Sequence, residues 1–376
     1  MRAIPALLAI LLMLFGPGSA RAERDLPASP PLEVKVGQML MVGFRGLALS
    51  GDEPILADIR ERHLGGVILF DRDIPSGSSR RNILDADQVR QLTDRLQAAA
   101  DIPLLVAVDQ EGGRVRRFKE DTGFPVLESA GVLGGRDEPA ATRRQALATA
   151  RALAAAGVNL NLAPVVDLDL NPDNPVIGGL DRSYGAEPPR VVRHARAFIA
   201  AHHAAGILTC LKHFPGHGSS RGDTHLGLVD VTDTWQEREL QPFAEIIAAG
   251  QADAVMTAHI VNRRLDPADP ATLSPAILNG LLRQRLGYEG VVISDDLQMG
   301  AIAAEYGLAR AIRKALDAGV DILLFANNSV YDEKVAARAR GLILDLVESG
   351  AIAPERIEAS WRRIAELKAR LADRGR

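Results

Sequence analysis

Eight short apolar runs recur along the chain, and segments with helical patterning separate them. The runs begin near residues 39, 65, 104, 158, 207, 253, 291 and 321. Strand-like runs that alternate with helices predict a parallel sheet, because parallel neighbours need a crossover connection that is usually a helix. Eight such units predict a TIM (β/α)8 barrel, a fold of about 250 residues plus insertions. A doubly wound open sheet is the main alternative.

Ionisable side chains collect where several of these runs end. They are Asp109 after the third run, Lys212 and His213 after the fifth, His259 after the sixth, and Asp295 and Asp296 after the seventh. Strands of a parallel barrel are apolar on both faces, so charged groups at one end of the runs require a reason. Active sites of this fold lie at the carboxyl ends of the strands. The sequence therefore predicts one shared pocket there.

The N-terminal segment has the form of a secretory signal peptide. An arginine precedes an apolar run from Ile4 to Phe15, and Ala20-Arg21-Ala22 has the small-residue pattern of a cleavage site. The run is shorter than the roughly 20 residues of a membrane span. We expect removal of residues 1–22 and a single barrel domain over residues 23–376, in the periplasm or secreted, without stable membrane insertion. Retention of the leader as an anchor is the alternative.

Composition limits the partners of the mature chain. Loss of the two arginines of the leader moves the formal charge from −4 to −6, and mild acidity argues against nucleic acid as a partner. Cys210 is the only cysteine, so no internal disulfide can form. A hydrophobic share of 47% supplies a core large enough to stabilise an exported chain without one.

The segment KHFPGHGSSRGDTHLGL, residues 212–228, holds three of the eight histidines. Its proline and glycines exclude a continuous helix, so these histidines lie on a loop. His213, His217 and His225 with Asp223 have the chemistry of zinc ligands, although no familiar zinc spacing matches. Metal binding, hydrogen bonding within the loop and acid–base chemistry are the three interpretations.

The pair Asp223 and His225 favours acid–base chemistry. In an extended segment, residues two apart point the same way, so the carboxylate can accept a hydrogen bond from one ring nitrogen. That bond fixes the tautomer, and the other nitrogen is left to move a proton. Elsewhere, VVISDDLQMGAI ends a strand with Asp295 and Asp296, whose side chains diverge, so at most one enters the pocket. Asp296 has the alternative role of capping the following helix.

Four motifs in this order, VDQEGGRVRRF, DRSYG, KHFPGHG with DTH, and ISDDLQMGAI, resemble glycoside hydrolase family 3 over about residues 35–330. The similarity is to its single-barrel bacterial β-N-acetylglucosaminidases. It implies Asp295 as nucleophile, His225 as general acid/base and Asp223 as the carboxylate partner of His225. It further implies no metal or other cofactor, and a set of residues that bind the terminal N-acetylglucosamine: Asp109, Arg117, Arg182, Lys212 and His213. His217 is expected to hold the shape of the loop.

The resemblance implies an exo-acting, retaining enzyme with a covalent glycosyl-enzyme intermediate. A retaining glycosidase pairs two carboxyl groups about 5–5.5 Å apart, and here an imidazole takes the place of one of them. Members of this type are commonly cytoplasmic, whereas this chain has a leader. Peptidoglycan fragments and chitooligosaccharides are therefore the expected substrates. The alternatives are a phosphorylase or β-glucosidase on the same scaffold, a non-catalytic peptidoglycan-binding protein and a metal-dependent barrel lyase.

We predict that the mature protein begins at Glu23, because the apolar run and the small residues before Glu23 have the form of a cleavable leader. N-terminal sequencing of the protein from its native host checks this. Recovery of the intact Met1 form from the cytoplasm would contradict it.

Overall fold

The computed structural model describes residues 29–374, and the predicted leader lies outside this range. Ten strands occur within it: β1 Leu40–Gly43, β2 Gly66–Ile68, β3 Leu105–Val108, β4 Leu160–Asn161, β5 Leu208–Phe214, β6 Val229–Asp230, β7 Ala254–Thr257, β8 Ile260–Val261, β9 Val291–Ile293 and β10 Leu323–Phe325. Eight of them form one parallel sheet in the order β10-β1-β2-β3-β4-β5-β7-β9. The other two, β6 and β8, form a separate parallel pair.

The parallel sheet closes on itself. Strand β1 pairs with β10 in a register that places Met41 beside Leu324. The ring is completed between β9 and β10, where Ile293 bridges Ile322 and the Ser294 N–H donates to the Ile322 carbonyl at 2.9 Å. Each of the eight apolar runs contributes one strand, and the side chains of these strands are buried throughout. The TIM barrel prediction is therefore confirmed.

Ten α-helices surround the ring within the described range, most of them in the connections between strands. They are α1 Leu32–Gln38, α2 Pro54–Arg62, α3 Ala86–Ala98, α4 Ala130–Arg136, α5 Pro139–Ala155, α6 Pro188–His203, α7 Gln241–Ala248, α8 Gly300–Ala318, α9 Val335–Glu348 and α10 Pro354–Arg374. A π-type helix covers Ala276–Arg285. Helix α8 is interrupted at Gly307, whose φ of 66° is not helical. Within the described range, no helix is both long and apolar enough to span a membrane.

Local sequence explains where several helices begin and which face they bury. Helices α2, α5 and α6 start with proline, whose fixed φ suits the first helical turn. Helix α3 begins after Asp85, whose carboxylate accepts the Gln88 N–H at 2.8 Å. Val89, Leu92 and Leu96 then recur at helical spacing and are fully buried against the barrel. Capping and periodicity thus fix this helix together.

The last helix, α10, lies across the N-terminal end of the barrel. Its Arg363 bonds Asp321, which precedes β10, and its Arg370 bonds Asp253, which precedes β7. Its Lys368 is buried and donates to the Gln38 side chain at 2.6 Å and to the Gly65 carbonyl at 2.9 Å. Among the described residues, no carboxylate forms an ion pair with this amine, and burial lowers the pKa of Lys368 to about 7.

We expect Lys368→Met to remove a pH-dependent contribution to stability. Because burial lowers the pKa of Lys368 from 10.5 to about 7, the unfolded chain binds one more proton than the folded chain between those values. Folding stability then rises with pH across this window, by up to about 1.4 kcal/mol per pH unit. Urea denaturation at pH 7, 8 and 9 should show the parent gaining stability relative to the variant. Exposed Lys334→Met is the control, and parallel pH profiles for parent and Lys368→Met would contradict the expectation.

Candidate active site

A cavity of about 330 Å³ opens at the carboxyl ends of the barrel strands. Its wall contains all eight residues that the sequence predicts to be catalytic or sugar-binding: Asp109, Arg117, Arg182, Lys212, His213, Asp223, His225 and Asp295. Lys212 and His213 lie in β5 itself, and the other six come from the segments that follow β3, β4, β5 and β9. Residues far apart in sequence therefore meet at one place.

A continuous set of ion pairs forms one side of the cavity. The Lys212 Nζ lies 2.8 Å from Asp109 Oδ1 and 2.6 Å from Glu111 Oε1. Glu111 also accepts two hydrogen bonds from Arg182, each of 2.8 Å. Burial raises the pKa of Glu111, but Arg182 and Lys212 outweigh it and hold the pKa at about 2. These cations and carboxylates are therefore charged and fixed, as recognition of a polar ligand requires.

Arg117 closes the same side of the cavity nearer its mouth. Its Nη2 lies 3.3 Å from Asp109 Oδ2, and its guanidinium lies 5.4 Å from the centre of the Phe70 ring. Gly112 and Gly113 form the turn that leads to it, with φ values of 107° and 55°. A Cβ on Gly113 would lie 2.5 Å from Ser129 Cβ, so the tight turn requires glycine there.

His213 is held by a buried carboxylate that the sequence did not single out. Its Nδ1 lies 2.7 Å from Asp167 Oδ2, and Asp167 also accepts the His217 N–H at 2.8 Å. Arg182 can only donate, so the His213 Nε2 accepts from its Nη2 at 3.3 Å. Burial raises the pKa of Asp167, but the neighbouring histidines outweigh it and the pKa is lowered. Asp167 thus orients His213 on the cavity wall.

Asp223 and His225 form the expected pair, but by a different local geometry. The Asp223 Oδ1 lies 2.6 Å from His225 Nδ1 and also accepts the His225 backbone N–H at 2.9 Å. A turn, closed by the Leu226 N–H to the Asp223 carbonyl at 3.0 Å, replaces the extended backbone that we expected. The His225 side chain is 58% exposed. With Nδ1 bonded to the carboxylate, Nε2 is the nitrogen that can meet a ligand.

The three histidines of this segment have separate partners. His217 bonds Ser220 Oγ through Nδ1 at 2.8 Å, and burial lowers the pKa of His217 to about 4. It is therefore a neutral residue that fixes the start of the loop. Within residues 29–374, no group of three or more histidine, cysteine, aspartate or glutamate side chains is arranged to hold a metal ion.

The adjacent aspartates after β9 occupy different environments. Asp296 Oδ1 accepts the N–H groups of Gln298 and Ala326, each at 3.0 Å, and burial raises the pKa of Asp296 to about 6. Helix α8 begins after Met299, so Asp296 closes the preceding turn and is not its cap. Burial also raises the pKa of Asp295, but His259, His213 and other neighbours outweigh it, and the pKa is lowered. Asp295 is therefore the more acidic of the two and stays ionised at lower pH than Asp296.

His259 lies behind the cavity wall and not in it, which corrects the prediction of a shared pocket at this position. It is fully buried, and its Nε2 donates to the Asp296 carbonyl at 2.9 Å. Its Nδ1 lies 2.7 Å from Thr272 Oγ1, which is 2.8 Å from Thr257 Oγ1. Thr257 in turn accepts the Asp295 N–H at 3.3 Å. These bonds fix both peptide groups that flank the Asp295–Asp296 junction.

Two charged residues of the site, Glu111 and Asp167, were not predicted from the sequence. Glu111 lies two residues after Asp109 in the segment leaving β3, and Asp167 ends the fourth apolar run. Glu111 could have been identified from its spacing of two residues from Asp109, and Asp167 from its position at the end of an apolar run.

A barrel with a polar cavity of this kind at its carboxyl end has the architecture of an enzyme that acts on a small polar substrate. Residues 31–367 match the Glycosyl hydrolase family 3 N terminal domain. The chain belongs to this family and is a glycoside hydrolase.

Similar proteins are known from several bacteria. A β-hexosaminidase of Xylella fastidiosa (strain M23) is 40% identical over 308 residues, which cover 80% of this chain and 87% of that protein. A glycoside hydrolase family 3 β-N-acetylglucosaminidase from Paenibacillus sp. FPU-7 superposes with a TM-score of 0.83 at 38% identity, covering 92% of this chain and 63% of that one. The β-N-acetylhexosaminidase of Beutenbergia cavernae DSM 12333 superposes with a TM-score of 0.82 at 33% identity, covering 91% of this chain and 100% of that one. This chain thus spans less than two thirds of the Paenibacillus protein.

Glu111→Gln should weaken substrate binding, because it removes the carboxylate that fixes both Lys212 and Arg182. Hydrogen bonds to charged groups are worth about 1.5–3 kcal/mol, so we expect kcat/KM for a glycoside substrate to fall about 10- to 100-fold. Most of the loss should be in KM, since the resemblance places Lys212 and Arg182 among the residues expected to bind the terminal sugar and not among those expected to react. Glu120→Gln, which changes a carboxylate in an exposed pair with Arg116, is the control. An unchanged KM for Glu111→Gln would show that the ion pairs do not position the ligand-binding groups.

Proposed function

We propose that this protein is an exo-acting, retaining β-N-acetylglucosaminidase. The observation that carries the proposal is the presence, in one cavity, of an ionised carboxylate, Asp295, and a carboxylate–imidazole pair, Asp223 and His225. Relatives named β-hexosaminidase and β-N-acetylglucosaminidase at 38–40% identity support the sugar preference. A cavity of about 330 Å³ suits removal of one terminal sugar better than binding of a long polysaccharide.

The paired charges of the cavity supply sugar recognition. Asp109 and Lys212 face each other at 2.8 Å, so one presents acceptors and the other donors to neighbouring hydroxyl groups. Arg117, Arg182 and His213 extend this polar wall. Each is already bonded to a protein partner, and rigid partners lower the entropy lost when the substrate is bound. These residues are proposed to bind the terminal N-acetylglucosamine.

In the first chemical step, Asp295 attacks the anomeric carbon while the bond to the leaving oxygen breaks. His225 enters the step as an imidazolium, with Nδ1–H on Asp223 and Nε2–H on the leaving oxygen. The Nε2 proton passes to that oxygen and His225 becomes neutral. The lowered pKa of Asp295 keeps it ionised for the attack.

In the second step, water cleaves the ester between the sugar and Asp295. Neutral His225 takes one proton of the water through Nε2 and returns to the imidazolium, and the Asp295 carboxylate is released. Two displacements at the same carbon retain the anomeric configuration. Asp223 serves both steps. Its carboxylate stabilises the doubly protonated His225 ring and holds Nδ1, so that Nε2 is directed towards the substrate.

We further propose export of this enzyme and action on peptidoglycan fragments or chitooligosaccharides. The support is the leader-like segment of residues 1–22 together with the predicted sugar preference. A phosphorylase that uses the same residues differs only in the group that attacks the glycosyl-enzyme ester. Product analysis separates the two.

The purified protein should hydrolyse a chromogenic β-N-acetylglucosaminide much faster than the matching β-glucoside, and added phosphate should not divert the product to a sugar phosphate. Asp295→Ala should be nearly inactive, since the other carboxylates that line the described cavity are bonded to cations, to His225 or to backbone N–H groups. A mechanism-based fluorosugar should label a peptide at Asp295. Labelling at Asp296, or release of a product with inverted anomeric configuration, would contradict the mechanism.

His225→Ala should slow substrates with poor leaving groups by about 10²–10⁴, the usual contribution of general acid–base catalysis. Activated phenol leaving groups need little protonation, so their glycosylation step should suffer less. Asp223→Asn keeps the size of the side chain but supplies no charge for the imidazolium. It should also slow poor leaving groups more than good ones, but by a smaller factor than His225→Ala. If His225→Ala slows good and poor leaving groups equally, the acid lies elsewhere.

A further inference from the structure

The loop that carries His225, residues 216–228, is attached to the barrel in two different ways. Its first part is held by Asn171 and Asn174 from the segment after β4. Asn174 Nδ2 donates to the His217 carbonyl at 2.8 Å, and Asn171 Nδ2 donates to the Ser220 carbonyl at 2.8 Å. His217, Ser219 and Ser220 are buried. This part is therefore a fixed base.

The second part of the loop, residues 221–228, has far fewer attachments. Two hydrogen bonds join it to another element in the described part of the chain, and both come from the start of helix α8. The Gly300 N–H donates to the His225 carbonyl at 3.3 Å, and the Ala301 N–H donates to the Thr224 carbonyl at 3.2 Å. These N–H groups have no partners inside the helix, because the first turn of any helix leaves its donors free. The backbone of the acid/base residue is thus seated on the first two residues of α8.

Gly300 permits this contact because it has no side chain. A Cβ built on Gly300 would lie 2.7 Å from the His225 carbonyl oxygen and 3.2 Å from the Leu226 carbonyl carbon. Both atoms are backbone, so the loop itself would have to move. Gly300 is absent from the glycines with positive φ, so an alanine fits its own backbone conformation. The close approach of the loop is therefore the reason for glycine at this position.

The same helix start is connected directly to the nucleophile. Gly300 lies five residues after Asp295. The intervening turn is fixed by the Asp296 carbonyl, which accepts the Met299 N–H at 3.0 Å and His259 Nε2 at 2.9 Å. A displacement of the loop at Gly300 therefore changes the position of His225 relative to Asp295.

We propose that Gly300 is a positioning residue, and that the seating of Thr224 and His225 on the first two N–H groups of α8 sets the place of the general acid relative to the nucleophile. This inference rests on the proposed function. Its consequence is selective: a side chain at Gly300 impairs proton transfer by His225 but leaves Asp295, the sugar-binding wall and the barrel unchanged.

The test is Gly300→Ala, assayed on a good and a poor leaving group. We expect kcat/KM for N,N′-diacetylchitobiose to fall about 10- to 100-fold, within the range that general acid catalysis contributes. The value for an activated aryl β-N-acetylglucosaminide should change less than threefold. Alanine favours a helix more than glycine does, so the melting temperature should not fall. Gly341→Ala, inside α9 with no atom within 4 Å of its added Cβ, is the matched control and should leave both rates unchanged.

The double variant Gly300→Ala with His225→Ala decides whether Gly300 acts through His225. In the His225→Ala background, adding Gly300→Ala should slow the poor substrate by less than threefold, because the group it displaces is already gone. Two results would overturn the role of Gly300 while leaving the proposed function intact. One is an active Gly300→Ala variant whose ratio of kcat/KM between the good and the poor substrate is unchanged, and the other is additive losses in the double variant. A parent protein with no activity on either substrate would overturn the proposed function and this assignment with it.

Discussion

Buried charge is the constraint on which the active end of this barrel depends. Lys212 is 2% exposed, and an unpaired ammonium at that depth would cost several kcal/mol. It is stable there because Asp109 and Glu111 approach it to 2.8 and 2.6 Å. Glu111 in turn needs Arg182, and Arg182 reaches His213, which is held by Asp167. Each charge thus requires the next, and residues from three strand ends are fixed relative to one another before any ligand binds.

The loop side of the cavity is held by fewer contacts than the wall of ion pairs. His225 and Asp223 lie on a loop whose far part is exposed and bonded to the barrel through the first two amides of α8. An acid that protonates a leaving group must face the part of the substrate that varies and departs, so a dense set of contacts around it would obstruct release. Under the proposed mechanism, the rigid wall binds the terminal sugar and the lightly attached loop faces the leaving group.

Strong local patterns explain how much of this was predictable from the sequence. The eight apolar runs are long enough to specify strands, and parallel pairing then brings their ends together, so Asp109, Lys212, His213 and Asp295 meet as expected. The partners of Glu111 and Asp167 were harder to predict, because their contacts with Arg182 and His213 join segments more than 40 residues apart. The Asp223–His225 contact was expected from an extended backbone, but it arises in a turn that the carboxylate itself stabilises. The position of His259 behind the wall was also not predictable from its place at a strand end, since it depends on hydrogen bonds with Thr272 and Asp296.

Asp295 and Asp296 show how one strand end can supply two carboxyl groups with different properties. Their side chains diverge, so each meets its own surroundings. Asp296 accepts two backbone N–H groups, but burial dominates and raises its pKa to about 6. Interactions with His259 behind the wall and with His213 and His225 in the cavity lower the pKa of Asp295 despite burial. When environments push the pKa values of neighbouring carboxyl groups apart, their roles separate as well. Here Asp295, the more acidic member, is the proposed nucleophile, while Asp296 joins the turn after β9 to the segment after β10.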